Sequence, residues 1–472
     1  MRTVRHALAA VVAALGLTVF PTAGDLPAAA DTKVMPGSFT GYAFDTCDAP
    51  SQRAMDRWRT HSKYWGVGIY VAGMNRACDA QPNLTSSWVS EQSRKGWHLL
   101  PLVVGRQASC APKGLYKHKR ISADDRHGYA EAREQGRSAA DSGAAAVHDL
   151  GIARGTTIWY DLEHFDTGRK KCRLSALAFT SGWSKRLHEL GYGAGFYSSA
   201  SSGISALEQA RRRTPQRYTF PDYLWIAEWN GRDSVRSSYI GERYWWPDRR
   251  VHQYEGDHHE RHGGARLDVD SNFMSTGRGT VAGPAAPSCG VRISFRSYPR
   301  VERGDHGDRV KAAQCLLRQQ GLYDGSVHGR FDGLTERAVA KFQQRHGLFS
   351  NGVLGARTWT ALLSQGARPL VKFGSGGDAV RRLQRGLNAA IKADIDVDGV
   401  FGKPELRAVL HYQRQTGRPD TGVVTSSTWR LLGSGRTASG LPAMTRAQML
   451  ELFARVRSST VVPFSSGVDR QH

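Results

Sequence analysis

Between residues 38 and 275 the apolar positions follow two rhythms that take turns along the chain. Runs rich in β-branched and aromatic residues fall near 39–46, 66–72, 98–105, 156–163, 191–198, 223–229, 250–254 and 266–271, and read as eight strands. Helical spacing separates the early ones. Arg53 to Trp65 carries Met55, Trp58 and Trp65, Ala130 to Leu150 is rich in alanine, and Leu174 to Leu190 places Leu177, Trp183, Leu187 and Leu190 on one face. Alternation of strand and helix predicts a parallel sheet of the α/β class, and eight strands predict a closed barrel. The last three strands leave no room for full helices between them, so the expectation is an irregular (β/α)8 TIM-like barrel.

Beyond it the pattern repeats. Gly304, Val310, Gln314, Phe331, Phe342, Gln343, Gly347, Gly352 and Trp359 recur at a constant offset of 70 as Gly374, Val380, Gln384, Phe401, Tyr412, Gln413, Gly417, Gly422 and Trp429. Nine gapless matches predict a duplicated domain. In each copy the apolar residues keep helical spacing (Val310, Ala313, Leu317; Val380, Leu383, Leu387). The expected organisation is a leader over 1–30, a barrel over 38–275, a Gly/Pro/Ala-rich linker over 276–297, repeats over 298–366 and 367–435, and a tail over 436–472.

Candidate chemistry collects in one strand and its continuation, Ile158-Trp159-Tyr160-Asp161-Leu162-Glu163. On a strand Trp159, Asp161 and Glu163 share one face, and Ile158, Tyr160 and Leu162 the other. Two carboxylates on one face suit glycoside hydrolysis, which needs one protonated acid and one ionised group. Polar or aromatic residues also end other strands: Asp45 after Phe44, Tyr197 in Phe196-Tyr197-Ser198, Trp225 and Glu228 in the sixth, Gln253 in the seventh, and Asp268, Asp270 and Asn272 in the eighth. Strand ends are where such barrels place their sites, so these residues predict an acidic, aromatic-lined cleft fitted to a sugar.

Phe44-Asp45-Thr46-Cys47-Asp48-Ala49-Pro50-Ser51, Asn75-Arg76-Ala77-Cys78, Tyr160-Asp161-Leu162-Glu163 and Gly195-Phe196-Tyr197-Ser198-Ser199 resemble the glycoside-hydrolase-like domain of secreted actinobacterial proteins. That domain is similar to the family 25 lysozymes. The resemblance implies Glu163 as proton donor, with Asp161, Asp45 and Asp270 as the other carboxylates around the scissile bond. Glu228 stands near the place where those lysozymes usually carry a tyrosine, which makes it a further candidate. Tyr197, Trp225, Gln253, Asp268 and Asn272 are the expected sugar contacts. Each repeat resembles the small three-helix peptidoglycan-binding domain. Its Asp-Gly-x-Phe-Gly turn is intact at Asp398 to Gly402 and altered to His328-Gly329-Arg330-Phe331-Asp332 in the first copy. The expected partner is therefore the peptidoglycan glycan, and no cofactor is implied.

Composition adds the compartment. Arg2, Arg5 and His6 precede an apolar run from Ala7 to Phe20 and small residues at Ala28 to Ala30, the layout of a secretory signal peptide. The run is shorter than the roughly 20 residues of a spanning helix, so a mature chain without a membrane span, exported to the wall or medium, is expected. Six cysteines in an exported chain predict three disulfides. Cys289 and Cys315 flank the start of the first repeat and should pair. Of the three pairings open to the others, Cys78–Cys110 with Cys47–Cys172 is the preferred one. The net charge of +23 attracts polyanions, and outside a cell those are wall polymers rather than nucleic acid.

Two metal-like motifs are set aside. Asp394, Asp396, Asp398, Gly399 and Glu405 fit a calcium-loop pattern, but the first repeat has Asp324, Ser326, His328, Gly329 and Thr335 in their places. His258, His259, Glu260 and His262 lack the spacing of a zinc motif, and read as a solvated, charged loop. Three functions follow: a hydrolase of wall glycan, a wall protein that holds glycan without cutting it, and a basic binder of extracellular polyanions.

Overall fold

The computed structural model describes residues 32–112 and 119–438. The expected signal peptide and nearly all of the tail lie outside the described residues. Eight strands close into a barrel in sequence order: β1 (Phe39–Asp45), β2 (Tyr64–Ala72), β3 (His98–Val103), β4 (Thr157–Asp161), β5 (Gly193–Ser199), β6 (Tyr223–Ala227), β7 (Arg249–His262) and β8 (Ala265–Thr276). Helices α1 (Gln52–His61), α2 (Ser86–Arg94), α3 (Ala130–Asp149), α4 (Lys170–Glu189) and α5 (Ser205–Arg213) fill the first five crossovers. The Ser51 hydroxyl starts α1 by accepting the Ala54 N–H at 3.3 Å, and Thr85 does the same for α2 with Trp88 at 3.2 Å. Trp65, read from spacing as the end of the first helix, lies on β2.

Alternation along the strands sorts side chains as predicted. Trp159 points into the barrel with Leu100, Leu102, Trp225, Val251 and Met274. Ile158, Tyr160 and Leu162 join the outer core, where the Tyr160 ring meets Phe179 at 4.7 Å and Trp183 at 5.0 Å on α4.

One expectation about the sheet fails. From β1 to β7 all neighbours are parallel, but β8 runs antiparallel to both β7 and β1. The cause is the Gly263-Gly264 pair between His262 and Ala265. Both glycines have positive φ, as a two-residue hairpin turn of the primed type requires. The segment read as a solvated loop is thus the far end of this hairpin, and it is partly buried. Glu260 accepts hydrogen bonds from Tyr64 (2.5 Å) and from the His262 ring (2.6 Å), while His258 lies 3.3 Å away.

The disulfide between Cys289 and Cys315 forms as expected, but the preferred barrel pairing is corrected. The bonds are Cys47–Cys78 and Cys110–Cys172, with Cα separations of 5.7 and 5.9 Å. The first joins the loops that follow β1 and β2, and the second ties the loop after β3 to the first turn of α4, which follows β4. A Cys47–Cys172 bond would instead have to reach from the loop after β1 to the segment after β4.

Each repeat is a three-helix unit. Helices α6 (Asp308–Gln319), α7 (Gly333–Arg345) and α8 (Ala356–Leu363) are matched residue for residue at their starts by α9 (Asp378–Ile391), α10 (Lys403–Gln415) and α11 (Ser426–Gly433). The repeated residues are structural. Gln314 and Gln384 each accept a backbone N–H from the following turn, at Gly329 and Gly399, and the indoles of Trp359 and Trp429 donate to Pro299 and Pro369 at 2.8 Å. The calcium-like carboxylates are engaged within the fold: Gln384 donates to Asp398 and Glu405, and Arg296 pairs with Asp394 and Asp396. No helix among the described residues is long and apolar enough to cross a membrane.

The second repeat docks on the barrel. Lys372 is fully buried, and its Nζ donates to the carbonyls of Arg59 (2.9 Å), Ser62 (3.1 Å) and Tyr64 where α1 ends and β2 begins. The ammonium also lies 4.1 Å from the Trp65 ring centroid. Beside it Phe373 packs edge-on against Tyr42 and Phe273, on the flank of β1 and β8 that no crossover helix covers. The corresponding residues of the first repeat, Glu302 and Arg303, could make neither contact. Lys372→Ala removes the donor to three carbonyls and should cost about 2–4 kcal/mol. Calorimetry should then resolve separate barrel and repeat transitions, and an unchanged single transition would show that Lys372 does not hold the two together.

Candidate active site

The inner-face alternation brings a group of carboxylates to the mouth at the C-terminal ends of the parallel strands. Asp45 ends β1, Asp161 ends β4, and Glu163 follows two residues later. Because β8 is reversed, Asp270 comes from its incoming half and lies directly opposite Asp45 in register. The floor below is aromatic. Trp159 and Trp225 meet edge to face at 5.5 Å, in space left by Gly195 and Gly68, where a Cβ would lie 2.4 Å and 2.9 Å from the indoles.

Like charges opposite each other on neighbouring strands repel, and two amide side chains sit between them. Gln253 Nε2 donates to Asp270 at 3.1 Å and to both Asp45 oxygens at 3.3 Å. Asn272 Nδ2 donates to Asp45 at 2.6 Å. Aromatic donors fix which way these amides face. Tyr197 Oη and Trp229 Nε1 donate to Gln253 Oε1 at 3.0 and 2.9 Å, and Trp225 Nε1 donates to Asn272 Oδ1 at 2.7 Å. Asp161 and Glu163 are held through their backbone. Gln107 donates to the Asp161 carbonyl and accepts the Glu163 N–H, at 2.8 and 2.9 Å.

All four carboxyls titrate above their ordinary range. Burial is the main cause for each. Repulsion adds to it: Asp270 and then Glu163 raise Asp45, and Glu163, Asp45 and Asp270 raise Asp161. Asp270 also raises Glu163. The amide donors from Asn272 and Gln253 pull Asp45 back only in part. One oxygen of Asp161 is buried without a hydrogen-bond partner among the described residues.

Above this group opens a cleft of about 1500 Å³. Its walls come from the loops after β1 and β2, which the Cys47–Cys78 bond ties together, and from the β7–β8 hairpin. Of the residues expected here, Asp45, Asp161, Glu163 and Asp270 come together, with Gln253, Asn272 and Tyr197 bonded to them or one step behind. Asp268 stands on the exposed hairpin wall beside His259. Two expectations are corrected. Trp225 is fully buried in the floor and reaches the carboxylates only through Asn272. Glu228 lies on the other face of its segment, where its carboxylate accepts from the Ser238 hydroxyl at 2.9 Å. Burial works against its charge, but hydrogen bonds from Ser237, Ser238 and Asn230 hold its pKa below the usual value.

Three residues at this site were not among the expected catalytic or sugar-binding residues. Tyr70 ends the inner row of β2, and burial followed by the surrounding carboxylates raises its hydroxyl pKa. Trp229 is 59% exposed, is tied to Gln253, and lies over Gly256 so closely that a Cβ there would sit 2.1 Å from the ring. Gln107 follows β3. The strand-end rule, applied to β2 and continued past β6, points to Tyr70 and Trp229; nothing in the sequence marks Gln107.

A closed eight-stranded barrel with grouped carboxylates at its mouth, followed by two three-helix repeats, defines a glycoside hydrolase-like protein with appended binding modules. The chain carries an Rv2525c-like, glycoside hydrolase-like domain, matched over residues 56–274, followed by two peptidoglycan binding domains at 306–362 and 376–432. The N-acetylmuramoyl-L-alanine amidase CwlM of Mycobacterium tuberculosis is 36% identical over 186 residues, 34% of this chain and 45% of the amidase. The match thus spans less than half of that relative. Among solved structures, the Tat-secreted protein Rv2525c of Mycobacterium tuberculosis is 15% identical, with a TM-score of 0.34, over 51% of this chain and 97% of that one. A family 25 glycosyl hydrolase from Bacillus anthracis is 11% identical, with a TM-score of 0.30, over 51% and 90%.

A raised carboxyl pKa lends stability below the unfolded-state value, near 3.8 for Asp161, and withdraws it as pH rises through the folded value. Asp161→Asn should therefore raise Tm at neutral pH by roughly 2–4 °C. The gain should shrink as pH falls and vanish below about 4. A lower Tm at pH 7 would show that burial and repulsion do not penalise the Asp161 charge as described.

Proposed function

We propose that the barrel hydrolyses a β-1,4 bond between the amino sugars of peptidoglycan, in a protein exported to the cell wall and held there by its repeats. The observation that carries this reading is the set of four mutually repelling carboxyls, all raised in pKa, under a cleft large enough for several sugar rings. Glu163 is the proton donor in this scheme. Burial and then the charge of Asp270 raise its pKa, the direction a proton donor needs, and it is the member of the set that stands farthest out along its segment. Asp161, Asp45 and Asp270 would surround the anomeric centre and stabilise the positive charge that develops on the sugar. The exposed face of Trp229 offers a stacking surface for a neighbouring ring.

A second reading has the same cleft hold a glycan without cutting it. Its support is that Asp45 and Asp161 are each only 3% exposed, which limits their direct contact with a sugar. In either case the chain's positive charge favours anionic wall polymers as additional partners.

Purified protein should release reducing ends from peptidoglycan. Glu163→Gln, which cannot give up a proton, should lower that release by about 10²–10⁴-fold with wall sedimentation unchanged. Equal release by the variant would remove Glu163 as the acid, and no release by wild type from any wall tested would favour the holding function. Trp229→Ala should raise KM more than it lowers kcat; a fall in kcat alone would mean that the indole serves only to orient Gln253.

A further inference from the structure

A second cavity, of about 800 Å³, lies far along the chain from the cleft, between the linker, α6, α8 and α9. That size falls within the roughly 300–1,000 Å³ usual for ligand sites. Its lining is divided in character. One part is apolar, with Phe295, Leu316 and Leu362; another carries the guanidinium groups of Arg292, Arg382 and Arg385.

None of these three cations has a carboxylate among its hydrogen-bond partners in the described residues. Arg292 donates to the Ser294 carbonyl at 3.0 Å, Arg382 to the carbonyls of Gln365 and Ala367, and Arg385 only to the Ser294 hydroxyl at 3.4 Å. The acids nearby are already taken: Asp378 pairs with Arg381 and accepts the Ala286 N–H, and Asp396 pairs with Arg296. The Nε atoms of Arg382 and Arg385 are buried without a partner among the described residues. Arg382 lies 4.5 Å over the Trp429 ring and Arg292 4.9 Å over Phe295, and Asp378 acts on Arg385 without a hydrogen bond, so none of the three has a paired carboxylate; buried guanidinium groups left unpaired destabilise a fold. Burial accordingly lowers the pKa of Arg385.

The cations are not part of the repeat's own design. At the matching positions of the first repeat stand Ala312 and Cys315. Cys315 is bonded to Cys289, and Arg292 follows Cys289 by three residues, so the disulfide that pins the linker also sets one wall of the cavity.

We infer that this seam is a binding site for a short peptide with a free carboxylate, the carboxylate meeting Arg385 and Arg292 and the small apolar side chains lying against Phe295, Leu316 and Leu362. A phosphodiester polymer would satisfy the cations but leave the apolar part without a partner, so the peptide is the better fit. In a wall the matching chemistry is an uncrosslinked stem peptide. The site needs both repeats and the linker, and stands whether or not the barrel cleaves glycan.

The test is calorimetric titration of the full chain with a sugar-free stem tetrapeptide carrying free carboxylates, with the same peptide amidated at every carboxylate, and with poly(glycerol phosphate). The acid peptide should bind, and amidation should weaken it by about tenfold or more. Arg385→Met and the exposed-site variant Arg292→Ala should each weaken the acid peptide by a similar factor, with circular dichroism as for wild type. No binding of the acid peptide, equal binding of the amidated one, or unchanged affinity in both variants would overturn the site. Displacement of the peptide by poly(glycerol phosphate) at comparable concentration would assign it to phosphate polymers instead. Because the probe has no sugar, none of these outcomes bears on Glu163.

Discussion

The bridging amide of Gln253 is the interaction on which the mouth of this barrel depends. Register on neighbouring strands places Asp45 and Asp270 opposite each other, and no charged partner from below relieves them, because the floor is indole. A carboxamide can serve two carboxylates only if its NH2 faces them. Tyr197 and Trp229 enforce that by taking up its oxygen. Burial first, and the repulsion left over second, raise the pKa values of these carboxyls, the direction that acid catalysis would require.

The residues that were legible in the sequence owe it to the two-residue period. Trp159, Asp161 and Glu163 fall on one face of a strand whatever the surroundings, and the strands themselves are short and well separated by turn residues. The same period, carried through Trp225, Ala227 and Trp229, puts Glu228 on the opposite face. The expectation about Glu228 came from analogy of position, and alternation overrules it. The reversal of β8 had a local sign in Gly263-Gly264, but a parallel barrel is the commoner outcome of strand and helix alternation. The disulfide partners within the barrel were not legible, because linear spacing says nothing about which loops a barrel sets side by side. Nor was Lys372, since an isolated lysine in a sequence reads as solvent-facing unless the carbonyls that receive it are known.

Duplication gave two copies of one small fold, and the structure uses them differently. The framework glutamines and tryptophans are common to both, down to matching donor distances. What separates them lies on their surfaces. Lys372 and Phe373 let the second copy cover a flank of β1 and β8, and Glu302 and Arg303 give the first no such grip. Only the first repeat, on the far side of the seam, stands as an appended module in the ordinary sense.

This asymmetry sets limits on recombination. A gene segment that encodes the first repeat could be exchanged for another wall-binding segment with little effect on the barrel, provided that the bond to Cys289 is matched or dispensed with. The second could not, because its Lys372-Phe373 pair completes a core begun more than 300 residues earlier in the chain. Descendants of this architecture should therefore gain and lose modules at the outer end, and the segment next to the barrel should travel with it as a single inherited block.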